Sequence, residues 1–134
     1  MKTKLLTIFL LLIIPKVFGY DANWTLVGKD VNNTDIFLDF ETITKNESSN
    51  YNTWLLINHS EGYSSLNSYE IDCQHFRTRI TYFEAYSKYY AKGKKTIEFT
   101  TEDIQKKHPE LYKWFYEKPG SYSYDATKKV CSKK

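Results

Sequence analysis

The chain has 134 residues, 41% of them hydrophobic and 26% charged, which suffices for one domain with a modest core. Its formal charge of +3 includes Lys2, Lys4 and Lys16; these belong to a segment that reads as removable, so the remainder, from Tyr20 onward, is balanced at zero. In a chain that reads as exported, nucleic acid is not an expected partner.

The first nineteen residues read as an export signal. Lys2 and Lys4 begin it, Leu5 to Ile14 is apolar apart from Thr7, and Val17 and Gly19 are small enough for cleavage after Gly19. An apolar run of about ten residues is too short to span a bilayer, so no transmembrane segment is expected in the mature chain. No cysteine lies near the cut, so no lipid attachment is expected there. The rest, 20–134, reads as a single domain without repeat or linker.

Trp24 to Gly28 reads as a first strand and Ile36 to Phe40 as a second, separated by the turn-rich Asp30 to Asp35. Asn46 to Asn52 is loop-like. Thr53 to Asn58 is the most apolar mature segment and fits a buried central strand. Gly62 to Asn67 reads as a turn. Ser68 to Cys73 then alternates, placing Tyr69, Ile71 and Cys73 on one face and Glu70 and Asp72 on the other.

Phe76, Thr78, Ile80 and Tyr82 continue with a period of two, with Arg77 and Arg79 opposite. Uninterrupted, the arginines would share the Cys73 face, so a turn or bulge is expected near Gln74 and His75. In a tight hairpin Asp72 faces Arg77 and Glu70 faces Arg79, as exposed pairs contributing about 0.2–1 kcal/mol each.

Thr96 to Thr100 reads as a further strand. Thr100 or Thr101 then caps a short helix through Ile104 and Lys107, with Glu102 and Asp103 at its favourable end. Pro109 suits the start of a second short helix, with Leu111, Trp114 and Phe115 on one face and Pro119-Gly120 ending it. Tyr122 to Val130 reads as a last helical turn or two. Strands followed by helices give an α+β fold, an antiparallel β-sheet with short C-terminal helices.

The charges divide unevenly. Tyr20 to Asp72 holds two lysines and nine carboxylates, whereas Cys73 onward holds 14 basic and seven acidic residues. Neighbouring strands can neutralise these halves; alternatively the basic half serves an anionic partner or head-to-tail association.

Cys73 and Cys131 are the only cysteines. In an exported chain they read as a disulfide tying the tail to the sheet, with two free thiols as the alternative. The bridge would close a loop of about 59 residues, worth roughly 4 kcal/mol on the chain-entropy model.

His59, His75 and His108 lack ligand spacing, so no metal and no cofactor are expected. No nucleophile motif frames a serine. Asp39, Glu70 and Asp72 read as hydrogen-bonding and ion-pairing groups, so no catalytic residue is assigned and the chain is read as no enzyme. Asn23, Asn32, Asn46 and Asn58 begin Asn-x-Ser/Thr triplets, which a chain rich in these residues also yields by chance.

Two aromatic clusters interleave with lysines. Tyrosine and tryptophan concentrate binding energy at interfaces, which makes Tyr86, Tyr89, Tyr90, Lys94, Lys95, Tyr112, Trp114 and Tyr116 candidate binding residues. Lys133 and Lys134 form a terminal lysine pair, read either as a ligand for lysine-binding modules or as a solvated tail.

Trp24 and Gly28, Phe37-Leu38-Asp39, Trp54-Leu55-Leu56, Tyr69-Glu70-Ile71-Asp72-Cys73, Arg77 with Arg79, Pro119-Gly120-Ser121 and Val130-Cys131 together make the chain resemble the bacterial surface-adhesin protein E family. The resemblance implies an antiparallel sheet with a C-terminal helix pinned by Cys73–Cys131, and admits a homodimer. It also implies an exported, non-enzymatic binding protein, periplasmic, secreted or surface-associated, with host matrix proteins or plasminogen as partners. The family namesake is a lipoprotein, and the lipid-anchoring cysteine is not found here. Phe99 to Lys118 is longer than the family pattern, so no binding residues carry over there. The alternative function is a periplasmic inhibitor or envelope-maintenance protein.

Overall fold

The computed structural model describes residues 22–133; the expected signal segment and Lys134 lie outside them. The strands are β1 (Thr25–Lys29), β2 (Asp35–Leu38), β3 (Thr44–Lys45), β4 (Tyr51–Asn58), β5 (Ser64–Asp72), β6 (Arg77–Lys88), β7 (Lys92–Phe99) and β8 (Phe115–Tyr116). Two α-helices follow β7, α1 (Thr101–Lys107) and α2 (Tyr122–Ser132). All eight strands join one curled antiparallel sheet in the order β1-β2-β4-β5-β6-β7, with β3 on β4 and β8 on β6.

The alternation in β4 and β5 assigns the faces. Thr53, Leu55 and Ile57 point to one side of β4 with Tyr69 and Ile71 of β5, and α2 packs there. Leu38, Leu55, Tyr69, Ile71, Ala126 and Val130 form the core under α2, edged by Val27, Phe40, Ile43 and Ile80. Gly28 lets α2 come close, since a Cβ there would lie 2.6 Å from Oδ2 and 2.9 Å from Cβ of Asp125. A disulfide joins Cys73, just past β5, to Cys131 in the last turn of α2, so the tail is tied to the sheet as two lone cysteines in an exported chain suggested.

The hairpin between β5 and β6 matches its sequence reading. Residues 73–76 turn, Asp72 pairs with Arg77, and Glu70 pairs with Arg79. The register slips between Ser68 and Tyr69, where Thr81 is the extra residue on β6. Phe76 does not extend the strand; it sits in the turn with φ 50°. Thr100 caps α1 through a reciprocal capping box with Asp103, and Ile104 buries that helix against β6 and β7.

Four further local readings require correction. Ser64 to Asn67 is the start of β5 rather than a turn, with Ser64, Ser65 and Asn67 buried; their polarity misleads because they sit mid-sheet, paired with β4 on one side and β6 on the other. Lys92 to Thr96 already belongs to β7. The expected helix after Pro109 is absent: residues 109–113 turn, and Phe115 and Tyr116 pair with Thr78 and Arg77 as β8. Last, α2 is a full helix of 11 residues rather than a turn or two.

Candidate binding surfaces

The candidate residues fall at two opposite ends of β6. Tyr86, Tyr89, Tyr90, Lys94 and Lys95 lie where β6 turns into β7, whereas Tyr112, Trp114 and Tyr116 lie beside its first residues. At about 3.3 Å per strand residue the two groups are roughly 30 Å apart. The fold does not assemble them into one site.

At the first end, β8 and the turn before it run antiparallel to the start of β6, so Tyr112, Trp114 and Tyr116 recur with period two over the arginine face. The Arg79 guanidinium lies 4.4 Å from the ring centres of both Tyr112 and Trp114. That of Arg77 lies 4.6 Å from Trp114 and 6.0 Å from Tyr116. The outcome is a ladder of alternating aromatic and cationic groups in the order Tyr112, Arg79, Trp114, Arg77, Tyr116.

Beneath it the arginines meet buried carboxylates. Arg79 donates from Nε at 2.8 Å and Nη2 at 2.6 Å to Glu70 Oε1, while Asn46 and Asn50 donate to Oε2 at 2.9 and 3.0 Å. Arg77 Nε and His75 Nδ1 each lie 2.8 Å from Asp72 Oδ2. Glu70 and Asp72 are 7% and 6% exposed, so the expectation of exposed pairs is corrected. These pairs hold the aromatic ladder against a desolvated base, and breaking one leaves an uncompensated buried charge.

Burial alone would raise both carboxyls. Hydrogen bonds from Asn50, Arg79 and Asn46 to Glu70, and from Arg77 and His75 to Asp72, outweigh it and hold both below their ordinary range. Glu84 is held down likewise, by Tyr82, Tyr86 and Lys95 against its burial. Below the ordinary carboxylate range the unfolded chain therefore binds more protons than the folded one, and stability is lost as pH falls. Thermal melting should decline steadily as pH falls below roughly 5, where these carboxyls take up protons in the unfolded chain first. A melting temperature that rises on acidification would show that these carboxylates do not support the fold.

At the other end, not every candidate is available. Lys95 reaches Glu84 at 3.0 Å and Glu98 at 3.7 Å. The Tyr86 hydroxyl donates to Glu84, and that of Tyr82 lies between Glu84 and Glu98 with its one proton to share; burial and these two carboxylates suppress Tyr82 ionisation. Tyr89, Tyr90 and Lys94 remain on the surface. Lys133 leans over the Phe40 ring at 3.8 Å.

Other polar residues are engaged structurally. Asp39 accepts from the amides of Glu41 and Asn23. His59 stacks on Tyr63 and bonds Ser65, His75 serves Asp72, and His108 lies against Phe99 and Glu110. Asn58 is buried and accepts the Tyr90 amide, and the Asn46 side-chain amide is bonded to Glu70. Exposed Phe115, beside Tyr116, escaped sequence reasoning as a surface residue; the alternation of Tyr112, Trp114 and Tyr116 was the signal that β8 was extended.

The family model described as "Surface-adhesin protein E" matches residues 24–132. No curated protein and no solved structure matches the chain.

Proposed function

The chain belongs to the surface-adhesin protein E family, and from that premise we propose that it is an exported, surface-associated, non-enzymatic protein-binding module. Residues 1–19 serve as its export signal, and 20–134 form its single domain. Its contact surface is the aromatic ladder at the start of β6, whose last ring, Tyr116, is 63% exposed. The observation that carries this reading is the stacking of Arg77 and Arg79 between aromatic rings over buried carboxylates.

Tryptophan, tyrosine and arginine are the residue types that dominate binding hot spots, most of all where they are held rigid before the partner arrives. Host matrix proteins and plasminogen are the partners to test first. Saturable binding to an immobilised matrix protein or plasminogen is expected, and Tyr116→Ala should weaken it by about tenfold without lowering the melting temperature. Absence of saturable binding to either, or full binding by the Tyr116→Ala variant, would remove this assignment. Inhibition of a lytic enzyme in its place would favour the periplasmic inhibitor reading.

A further inference from the structure

Asp35 pairs with Asn58, Asn58 with Ser64, and Ser64 with Tyr86. The β1–β2, β4–β5 and β6–β7 turns therefore gather at one end of the sheet, away from the aromatic ladder. Each presents a large apolar or aromatic side chain to solvent: Val31 is 86% exposed, Tyr63 41%, Tyr89 40% and Tyr90 51%.

The third turn is held firmly. Lys92 N donates to Tyr89 O at 3.3 Å, with Tyr90 and Ala91 between them at φ 60° and 54°. Residues with a Cβ adopt two successive left-handed positions only at a cost. Here the Tyr90 amide donates to Asn58 Oδ1 at 2.9 Å and the Ala91 amide to Ser64 Oγ at 3.0 Å. The Tyr90 ring also rests on Phe37 at 5.6 Å. The backbone of the tip is thus tied to β4 and β5, while the Tyr89 side chain is 40% exposed.

The charge around it is one-sided. Ala85 to Ile97 contains no carboxylate and four lysines. Lys95 is consumed by Glu84, whereas Lys88, Lys92 and Lys94 make no ion pair among the described residues. Of the acids in the other two turns, Asp30 is folded onto the amides of Asn32 and Thr34, and Glu61 stands exposed beside Ser60.

We propose that this three-turn end is a peripheral docking surface for an anionic lipid bilayer, with Val31, Tyr63, Tyr89 and Tyr90 entering the headgroup layer and Lys88, Lys92 and Lys94 meeting its phosphates. A protein hot spot clusters tryptophan, tyrosine and arginine in one packed patch. This end instead offers apolar or tyrosine side chains from three separate tips, with the unpaired lysines gathered on the β6–β7 tip beside Tyr89 and Tyr90. Tyrosine is a residue favoured at the membrane–water boundary, and lysine adds attraction to anionic lipid.

The test is co-sedimentation of the purified protein with phosphatidylcholine vesicles, with and without phosphatidylglycerol. At low salt the phosphatidylglycerol vesicles should bind it at least about tenfold better, and high salt should release it. Lys92→Glu/Lys94→Glu should lower that binding by about tenfold or more, and Tyr89→Ser should weaken it further, with melting temperatures unchanged because all three side chains are exposed. No sedimentation with phosphatidylglycerol vesicles, equal binding to both compositions, or full binding by the charge-reversed variant would overturn the proposal. So would capture by a soluble acidic protein without vesicle binding, which assigns this end to a protein partner.

Discussion

Replacing Arg79 with alanine is expected to destabilise the protein by about 3 kcal/mol, a large share of the stability of a domain this size. The loss comes mainly from Glu70, which stays buried while Oε1 loses two charged donors. Asn46 and Asn50 continue to serve Oε2, which keeps the cost at the low end of the range for breaking a buried pair. Tyr112 and Trp114 lose the cation between them as well. The melting temperature should drop by roughly 10–20 °C. The double variant Glu70→Leu/Arg79→Met should recover at least half of the loss, because removing both charges also removes their desolvation cost. A single variant as stable as the parent would mean that water reaches Glu70 and that the ladder rests on a solvated base.

Removing the bridge should cost more. A Cys73→Ser/Cys131→Ser variant is expected to lose about 4 kcal/mol, since the bridge spans a sequence separation of 58 residues. The penalty falls largely on the unfolded ensemble, which expands, so the denaturant dependence should steepen along with the drop in midpoint. Guanidinium titration of parent and variant measures both. The damage should be local as well as global: α2 keeps Ala126 and Val130 against Leu38, Leu55, Tyr69 and Ile71, but its last turn is no longer held to the end of β5. Amide exchange should therefore quicken first near Val130. An unchanged midpoint would show that helix packing alone fixes the tail.

The sequence was most readable where local pattern and tertiary pairing agreed. Tyr69 to Asp72 and Arg77 to Ile80 alternate cleanly, so the turn between them and the pairing of both arginines with their carboxylates could be read from parity alone. Thr100 and Asp103 carried the start of α1 in the same way. Leu111, Trp114 and Phe115 were misleading because helical spacing and Pro109 offered one pattern while Tyr112, Trp114 and Tyr116 offered another. The free backbone edge of β6 and the exposed side of its arginines decided between them, and neither is visible in a local window. Burial of Glu70 and Asp72 was equally hidden, since it depends on β3, β4 and the ladder closing around them. The binding candidates were chosen by residue type, which cannot separate Lys95, spent on Glu84 and Glu98, from Lys94, facing solvent.

The docking of α2 on β1 and β2 has a consequence for the order of events in synthesis. β1–β2, β4–β5, β5–β6 and β6–β7 are each joined by a short antiparallel turn, and β2 reaches β4 through the segment that carries β3, so hairpins can form as the chain emerges. The helix that covers Leu38, Leu55 and Ile71 follows every strand. Until it arrives, the best-formed apolar face of the nascent protein is bare to water and to other chains. Final closure is therefore a late event in which the end of the chain returns to its beginning, and Cys131 can meet Cys73 only at that moment.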